Sequence, residues 1–470
     1  MCIVATASDW GCEAASALYG NITRVRPDAS QDPFKKARLV PSEIAFALLT
    51  RGTQGAVMLV AMLGIPQFLS HQEQGLFFVF ISLGALLQLG EFGLAYATLQ
   101  IASHLAAVDD LTQLAQLRHQ ARRLNLTLLA AATIIVACLG LLLFYRGSDM
   151  RENGVHWVAP WLAFIVTVFV TQLVNLEITL IEGSSSASAA WRIRLTQEIL
   201  AGLIFIAALF GGAGLWSLSA YWAMRSVVAA SWTYARRLRR REMPDKTTGV
   251  FDWRTDAWPF QWRIGLSALS GFLIFQAINP IVLIEKGAIV AGQFGMSLAM
   301  MNMVLLVTSA WPLSQASRYG RLIGLQRFAE VRRIFWRVTV SSTLFAASAA
   351  LALLFLLQLL AAYEMPFAMR TAGTISTAAL LATGVAHHIV QCFAALLRAE
   401  RREPLLTVSV LGGLLNVTAV WIAAHLSSPH AIAFASLGCA LIGIPLAAMY
   451  YRRSSMRWLA TETHTSEFSS

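Results

Sequence analysis

Residues 43–64 read EIAFALLTRGTQGAVMLVAMLG, an apolar run that carries one arginine, Arg51. A helix that began after Arg51 would have roughly 14 residues before Pro66, whereas about 20 are needed to cross the hydrocarbon core of a bilayer. The helix therefore has to begin near residues 41–44, which places Arg51 on the order of 10 Å from its polar end. This stretch predicts a membrane-spanning helix with a permanent cation inside it.

The composition of the whole chain favours the same class of protein. Of its 470 residues, 57% are hydrophobic and 13% are charged, and the mean hydropathy is +0.61. Soluble domains usually carry about 25% charged residues. The net charge of +11 comes from short basic clusters between apolar runs, which is typical of membrane topology and argues against nucleic-acid binding. Among the five cysteines, no pair has the spacing of a metal site or a disulfide framework.

Apolar runs along the chain predict an all-α polytopic membrane protein with about twelve transmembrane helices. The predicted spans are 44–65, 75–101, 124–145, 158–181, 197–211, 215–235, 264–285, 290–311, 338–362, 372–397, 405–425 and 430–451. The glycines at 211, 212 and 214 predict a tight hairpin between the fifth and sixth spans.

The positions of lysine and arginine predict the orientation of these spans. With a cytoplasmic N-terminus, 30 of the 36 basic residues lie inside, four lie outside and two, Arg51 and Arg225, lie within the membrane. The positive-inside rule therefore favours cytoplasmic N- and C-termini. Residues 1–43 and 452–470 are the predicted cytoplasmic tails.

A long basic connection at residues 236–263 divides the spans into six plus six. The predicted N-lobe is 44–235 and the predicted C-lobe is 264–451, with a central cavity between them. Residues 111–118 (LTQLAQLR) and 325–332 (LQRFAEVR) are alike when shifted by 214, and both are predicted to be amphipathic cytoplasmic helices. Repeated halves of this kind are common in alternating-access transporters.

Charged residues inside the spans are the first candidates for a substrate site. Glu91 lies at a depth similar to that of Arg51, and a buried charge needs a partner, so we expect an Arg51–Glu91 ion pair, either structural or functional. Arg225 lies near the middle of the sixth span and is expected to face a cavity, because an arginine in hydrocarbon is costly. For Arg51 the alternative is that its long stem reaches back to the interface.

Neutral polar residues of the spans are the other candidates: Gln54, Gln172, Asn175, Gln276, Asn279 and Asn302. Gln172 and Asn175 are three residues apart and share a helix face, as do Gln276 and Asn279. They form either interhelical hydrogen bonds or contacts to a polar substrate. Pro280 is expected to kink the seventh span.

Several classes of site are missing from the sequence. No aspartate falls inside any predicted span, and there is no phosphate-binding glycine-rich loop followed by lysine and serine or threonine. No predicted outside loop exceeds about 15 residues, which leaves no room for an external catalytic domain. The adjacent His387 and His388 point about 100° apart on a helix and cannot readily share one metal ion. The sequence therefore predicts no catalytic residue, no metal site and no cofactor.

Residues 74–96 read QGLFFVFISLGALLQLGEFGLAY, and residues 100–104 read QIASH. With the chain length, the six-plus-six division and the inside termini, this stretch resembles bacterial polysaccharide exporters. These are the lipid-linked oligosaccharide (O-antigen type) flippases of the multidrug/oligosaccharidyl-lipid/polysaccharide exporter (MOP) superfamily.

The resemblance implies two six-helix lobes around a central cleft that opens alternately to each side. It implies that the chain flips an undecaprenyl-diphosphate-linked oligosaccharide across the bacterial inner membrane for surface polysaccharide or lipopolysaccharide synthesis. The partners it implies are a polysaccharide polymerase or glycosyltransferases. Because the head group is anionic, Arg51 and Arg225 are expected to hold it with their planar guanidinium groups.

Two alternative functions are kept open. An ion-coupled multidrug or metabolite antiporter of the same superfamily would require an acidic cavity. An integral-membrane glycan-assembly enzyme would require a cluster of aspartate, glutamate or histidine at one membrane face. The charges within the spans decide between these functions.

Overall fold

The protein is described from a computed structural model, which covers residues 42–107, 110–146, 155–184, 186–239, 251–399 and 405–467. These residues form α-helices and one 3-10 turn, and they contain no β-strand. The helices are α1 (Ser42–Phe68), α2 (His71–Gln88), α3 (Leu94–Ala107), α4 (Leu111–Arg146), α5 (Val158–Ser184), α6 (Ala187–Phe210), α7 (Trp216–Arg239), α8 (Trp253–Asp256), α9 (Trp258–Phe275), α10 (Ile278–Thr308), α11 (Ala310–Gly324), α12 (Phe328–Ala362), α13 (Pro366–Met369), α14 (Thr374–Arg398), α15 (Leu406–Leu426) and α16 (Pro429–Glu467). The described residues from Phe46 onward pack as one compact unit.

Ten segments of the described chain are long and apolar enough to cross a membrane. One of them, Trp258–Gly324, has 67 residues and contains both the seventh and the eighth predicted spans. The sixth predicted span lies in α7, a less apolar helix outside these ten. The expected all-α polytopic membrane fold is confirmed. The predicted tail is described only from Ser42, where α1 begins.

The second predicted span is two helices rather than one. α2 ends at Gln88, a 3-10 turn covers Leu89–Glu91, and α3 begins at Leu94. Between them Phe92 and Gly93 have positive φ angles of 49° and 79°, which end the helical hydrogen bonding. A Cβ at Gly93 would lie 2.9 Å from the carbonyl oxygen of Gln261, so this break packs directly on α9.

A break also interrupts the seventh predicted span, as Pro280 suggested. α9 ends at Phe275 and α10 begins at Ile278, which places Pro280 in the first turn of α10. A proline ring clashes with the carbonyl four residues earlier, and Gln276, at that position, has left the helix. At Gly287 (φ 82°, ψ 175°) α10 is non-helical, so the seventh span ends there and the eighth begins.

The fifth predicted span, 197–211, is too short, because α6 begins at Ala187. The side chain of Ser186 accepts a hydrogen bond from the backbone N–H of Ala189 and caps the helix. The added turns carry Arg192 and Arg194, which the hydropathy pattern had placed in a loop. The predicted hairpin to α7 is confirmed, with Gly212 and Gly214 at φ 79° and 54°.

The shift of 214 residues relates whole helices of the two halves. Adding it to the bounds of α4 gives 325–360, against Phe328–Ala362 for α12. The same shift of α5 gives 372–398, against Thr374–Arg398 for α14. The similarity first seen between residues 111–118 and 325–332 is therefore a repeat in the fold.

Each half has its own aromatic core. Trp161 is fully buried against Phe80 and Phe144 in the first half. Phe335 packs against Phe393 and Tyr451 in the second. The bundle has two ends. The basic end is where α3 meets α4 and α11 meets α12, and the Arg370 end is where α1 meets α2 and α13 meets α14.

Candidate functional site

Contacts between α1 and α6 position the candidate site. A Cβ at Gly202 would lie 2.4 Å from Cγ2 of Val57, and a Cβ at Gly64 would lie 3.0 Å from a side-chain atom of Leu209, so the two helices touch at these two levels. Residues three or four apart share a helix face. Gln54, one turn before Val57, consequently faces the turn of α6 that precedes Gly202.

Glu198 of α6 is the centre of a polar network in this position. Its side chain is only 2% exposed. It accepts hydrogen bonds from Gln54 Nε2 (2.9 Å) and from the Tyr221 hydroxyl (2.8 Å), and it forms an ion pair with Arg225. Arg225 also donates to the Tyr221 hydroxyl at 3.0 Å.

Arg225 is therefore a neutralised cation. Its side chain is 14% exposed, and its guanidinium carbon lies 5.5 Å and 5.2 Å from the ring centroids of Tyr221 and Trp222. Its backbone carbonyl accepts a hydrogen bond from Gln197 Nε2 at 3.0 Å. The sequence placed Arg225 correctly in the interior of a helix, here α7, but it did not indicate that Glu198 cancels the charge.

Arg51 is in a different electrostatic state. Its side chain is exposed, and its Nη1 lies 3.4 Å from Oε1 of Gln54, a neutral amide. The expected Arg51–Glu91 ion pair does not form among the described residues. Glu91 lies in the 3-10 turn after α2, which packs against α4 and α9 rather than α1.

The remaining predicted polar residues lie in separate places. Asn175 donates to Gln172 at 2.9 Å, which confirms that the two share a face of α5. Gln276 and Asn279 both contact Ser82 of α2, at 3.4 Å and 3.2 Å, and these bonds join the two halves of the chain. Asn302 is half-buried on α10. Of all the predicted candidates, the structure brings Arg51, Gln54 and Arg225 into one network.

Glu198 was missed in the sequence because of the error in the start of the fifth span. With the span drawn from residue 197, Glu198 is its second residue and lies at the edge of the predicted membrane segment. In the structure it lies eleven residues after Ala187, which is roughly 16 Å along the helix. The signal that was available is the pair Gln197–Glu198, which stands before an apolar run without any adjacent basic residue.

Histidine and cysteine at another place form a smaller polar cluster. His388 Nε2 and Ser342 Oγ are 2.8 Å apart, and Cys392 Sγ lies 3.6 Å from the same nitrogen. No group of three or more histidine, cysteine, aspartate or glutamate side chains that could hold a metal ion occurs in the part of the chain that the structure describes.

Comparison with solved structures places this geometry in a known fold. An inward-facing multidrug-resistance MATE family transporter of the MOP superfamily has a TM-score of 0.69 at 13% identity, over 87% of this chain and 96% of that chain. The chain shares the overall fold of this structure. The inward closed conformation of the lipid II flippase MurJ has a TM-score of 0.58 at 14% identity, over 87% of each chain.

An outward-facing structure, also of a multidrug-resistance MATE family transporter of the MOP superfamily, has a TM-score of only 0.54 at 13% identity, over 89% of this chain and 96% of that chain. The chain therefore superimposes better on the inward-facing form of the MOP fold. No protein-family model and no curated protein sequence matches the chain.

Proposed function

We propose that this protein is an alternating-access transporter that flips a lipid-linked sugar with an anionic diphosphate head, of the undecaprenyl-diphosphate type, across the bacterial inner membrane. The observation that carries the proposal is the charge balance of the network around Glu198. Arg225 and Glu198 cancel, whereas Arg51 has only a neutral amide partner among the described residues. The site therefore has one surplus positive charge.

A surplus guanidinium suits a diphosphate in both charge and shape. Its planar group donates parallel hydrogen bonds to phosphate oxygens, and such charge-assisted bonds are about twice as strong as neutral ones. An organic cation would instead be repelled by Arg51. The charge of the site therefore favours an anionic cargo over a cationic drug.

The depth of Arg51 suits a lipid whose head enters the protein while its tail stays in the bilayer. Arg51 lies nine residues after the first residue of α1, which is about 14 Å along the helix. The better superposition on an inward-facing transporter supports a site loaded from the basic end, the predicted cytoplasmic side. Both termini are proposed to be cytoplasmic, as the distribution of basic residues predicts.

Glu198 favours a second candidate function, ion-coupled antiport of drugs or metabolites. A carboxylate buried inside a membrane helix is a common element of proton relays in transporters. The absence of aspartate from the predicted spans argued against antiport. Glu198 supplies a buried acidic group of the kind that an ion-coupled antiporter needs. The two functions predict different effects on transport when the Glu198 carboxylate is removed.

Flipping in liposomes tests the proposal and separates the two functions. A fluorescent undecaprenyl-diphosphate sugar is placed in both leaflets, and the fraction protected from a membrane-impermeant quencher is followed. Arg51→Ala should abolish movement of the lipid, whereas Arg333→Ala, which removes an exposed arginine of α12, should not. If the protein is a flippase, the folded fraction of Glu198→Gln should still bind the anionic cargo, since the variant adds net positive charge. If the protein is instead a proton-coupled antiporter, the unaltered protein should export dye and the folded fraction of Glu198→Gln should not. Dye efflux lost in Glu198→Gln, without any lipid flipping in the unaltered protein, would favour the antiporter.

A further inference from the structure

The Arg370 end of the bundle is closed by direct contact between α2 and α10, which belong to different halves. A Cβ at Gly75 would lie 2.0 Å from the carbonyl oxygen of Ala288, and a Cβ at Gly292 would lie 2.9 Å from the backbone nitrogen of Gly75. Only glycine permits such an approach between backbones. This contact therefore brings the two halves together at one end of the proposed transport path.

Arg370 reaches across this contact from the second half to the end of α1 in the first. Its Nη2 donates to the carbonyl oxygens of Pro66 (3.1 Å) and Leu69 (2.9 Å). The last four carbonyls of a helix lack partners within the helix, and arginine side chains can satisfy them. The C-terminus of α1 thus takes a cap from a residue about 300 positions later in the chain.

Gln74 connects the same groups from within α2. Its side chain is 1% exposed. Its Nε2 donates to the carbonyl oxygens of Gly292 (2.8 Å) and Arg370 (2.9 Å), and its Oε1 accepts from Arg370 Nη1 at 3.3 Å. Opening this end would remove every one of these bonds and expose a buried amide.

We propose that Arg370 is a positioning residue for alternating access: bound to the last carbonyls of α1 and to Gln74, it holds the Arg370 end closed, and it must release them before that end opens. The inference rests on the proposed function only in requiring that the protein alternates between two states. It does not depend on the identity of the cargo.

The expected effect follows from the bonds that are lost. A hydrogen bond made by a charged group contributes enough to change an equilibrium about tenfold or more. Replacing Arg370 by alanine should therefore shift the ratio of open to closed states at this end by at least about tenfold.

The test measures this ratio directly and without substrate. Spin labels are placed at Val158→Cys and Ile375→Cys, two exposed positions where α5 and α14 begin at the Arg370 end, in a background free of native cysteines. Electron–electron double resonance in nanodiscs then gives the distribution of distances between the halves. The unaltered protein should give mainly the short distance, and Arg370→Ala should populate a longer one.

Further variants separate this role from simple damage to the fold. Gln74→Ala should produce the same longer distance, and the double variant should shift the ratio less than the sum of the singles, because both residues act in one network. Arg370→Lys should restore part of the short population, while Arg333→Ala should leave the distribution unchanged. If Arg370→Ala and Gln74→Ala both keep the short distance alone, the proposal is overturned, whether or not the protein flips a lipid.

Discussion

Replacing one member of the Glu198–Arg225 pair should lower the free energy of unfolding far more than replacing both. With Arg225→Met, the Glu198 carboxylate, 2% exposed, keeps only the neutral donors Gln54 and Tyr221. With Glu198→Gln, the neutral donors keep their acceptor, but Arg225, 14% exposed, loses its counter-charge. An uncompensated buried charge costs about 3–5 kcal/mol, so each single variant should lose about that much of the free energy of unfolding.

The double variant should recover most of this loss. It leaves no unpaired charge, and methionine fills much of the volume of arginine, so the coupling energy of the pair should be about 3 kcal/mol or more. The assay is equilibrium unfolding of the purified protein by sodium dodecyl sulfate in mixed micelles, followed by tryptophan fluorescence.

A second ion pair made by α6, between its Arg194 and Glu182 of α5, gives the control. Arg194 and Glu182 are 26% and 15% exposed, so their coupling energy should be only about 1 kcal/mol or less. Two results of the Glu198–Arg225 double-mutant cycle would refute the view that the site holds a desolvated, neutralised arginine. One is a loss of unfolding free energy in the double variant equal to the sum of the single losses, and the other is a coupling energy no larger than that of the control pair.

Three further outcomes test how the site is supported. Gly202→Leu should separate α1 from α6, because its Cβ would lie 2.4 Å from Val57, and should reduce flipping in liposomes while the protein remains monodisperse on gel filtration. Trp161→Ala should lower the free energy of unfolding by about 3–5 kcal/mol, since the indole is fully buried, and detergent unfolding measures this loss. Arg122→Ala should lower it much less, by about 1 kcal/mol, because the arginine of the Arg122–Glu177 pair is 40% exposed. A loss for Arg122→Ala as large as that for Trp161→Ala would contradict this ranking.

The all-α polytopic fold could be predicted because long apolar runs are visible in the hydropathy of the sequence alone. Arg51 could be assigned to a helix interior from length alone, since no shorter helix would cross the bilayer. The break before Pro280 followed from backbone chemistry. The shift of 214 residues was visible at residues 111–118 because amphipathic helices keep their pattern even where the sequences diverge.

The partners of the charged residues could not be predicted, because they depend on which helices are neighbours. Depth alone suggested Glu91 for Arg51, yet the 3-10 turn directs Glu91 to α4 and α9. Glu198 was not recognised because the fifth span was drawn to begin at residue 197. Arg370 was one of the four basic residues that the predicted topology places on the outside, and its position there gave it no role. Nothing local in the sequence indicates that Arg370 caps a helix about 300 residues earlier.

The central claim, that Arg51 gives the site its affinity for an anionic lipid head, is tested most directly by equilibrium binding. Farnesyl diphosphate, a short prenyl diphosphate, is titrated into the protein in nanodiscs, with Arg51→Ala and Arg51→Lys as variants. Loss of one charge-assisted contact predicts an affinity at least about tenfold weaker for Arg51→Ala, and a smaller loss for Arg51→Lys. Equal affinity in all three proteins, or tighter binding of an organic cation than of the diphosphate by the unaltered protein, would contradict the account.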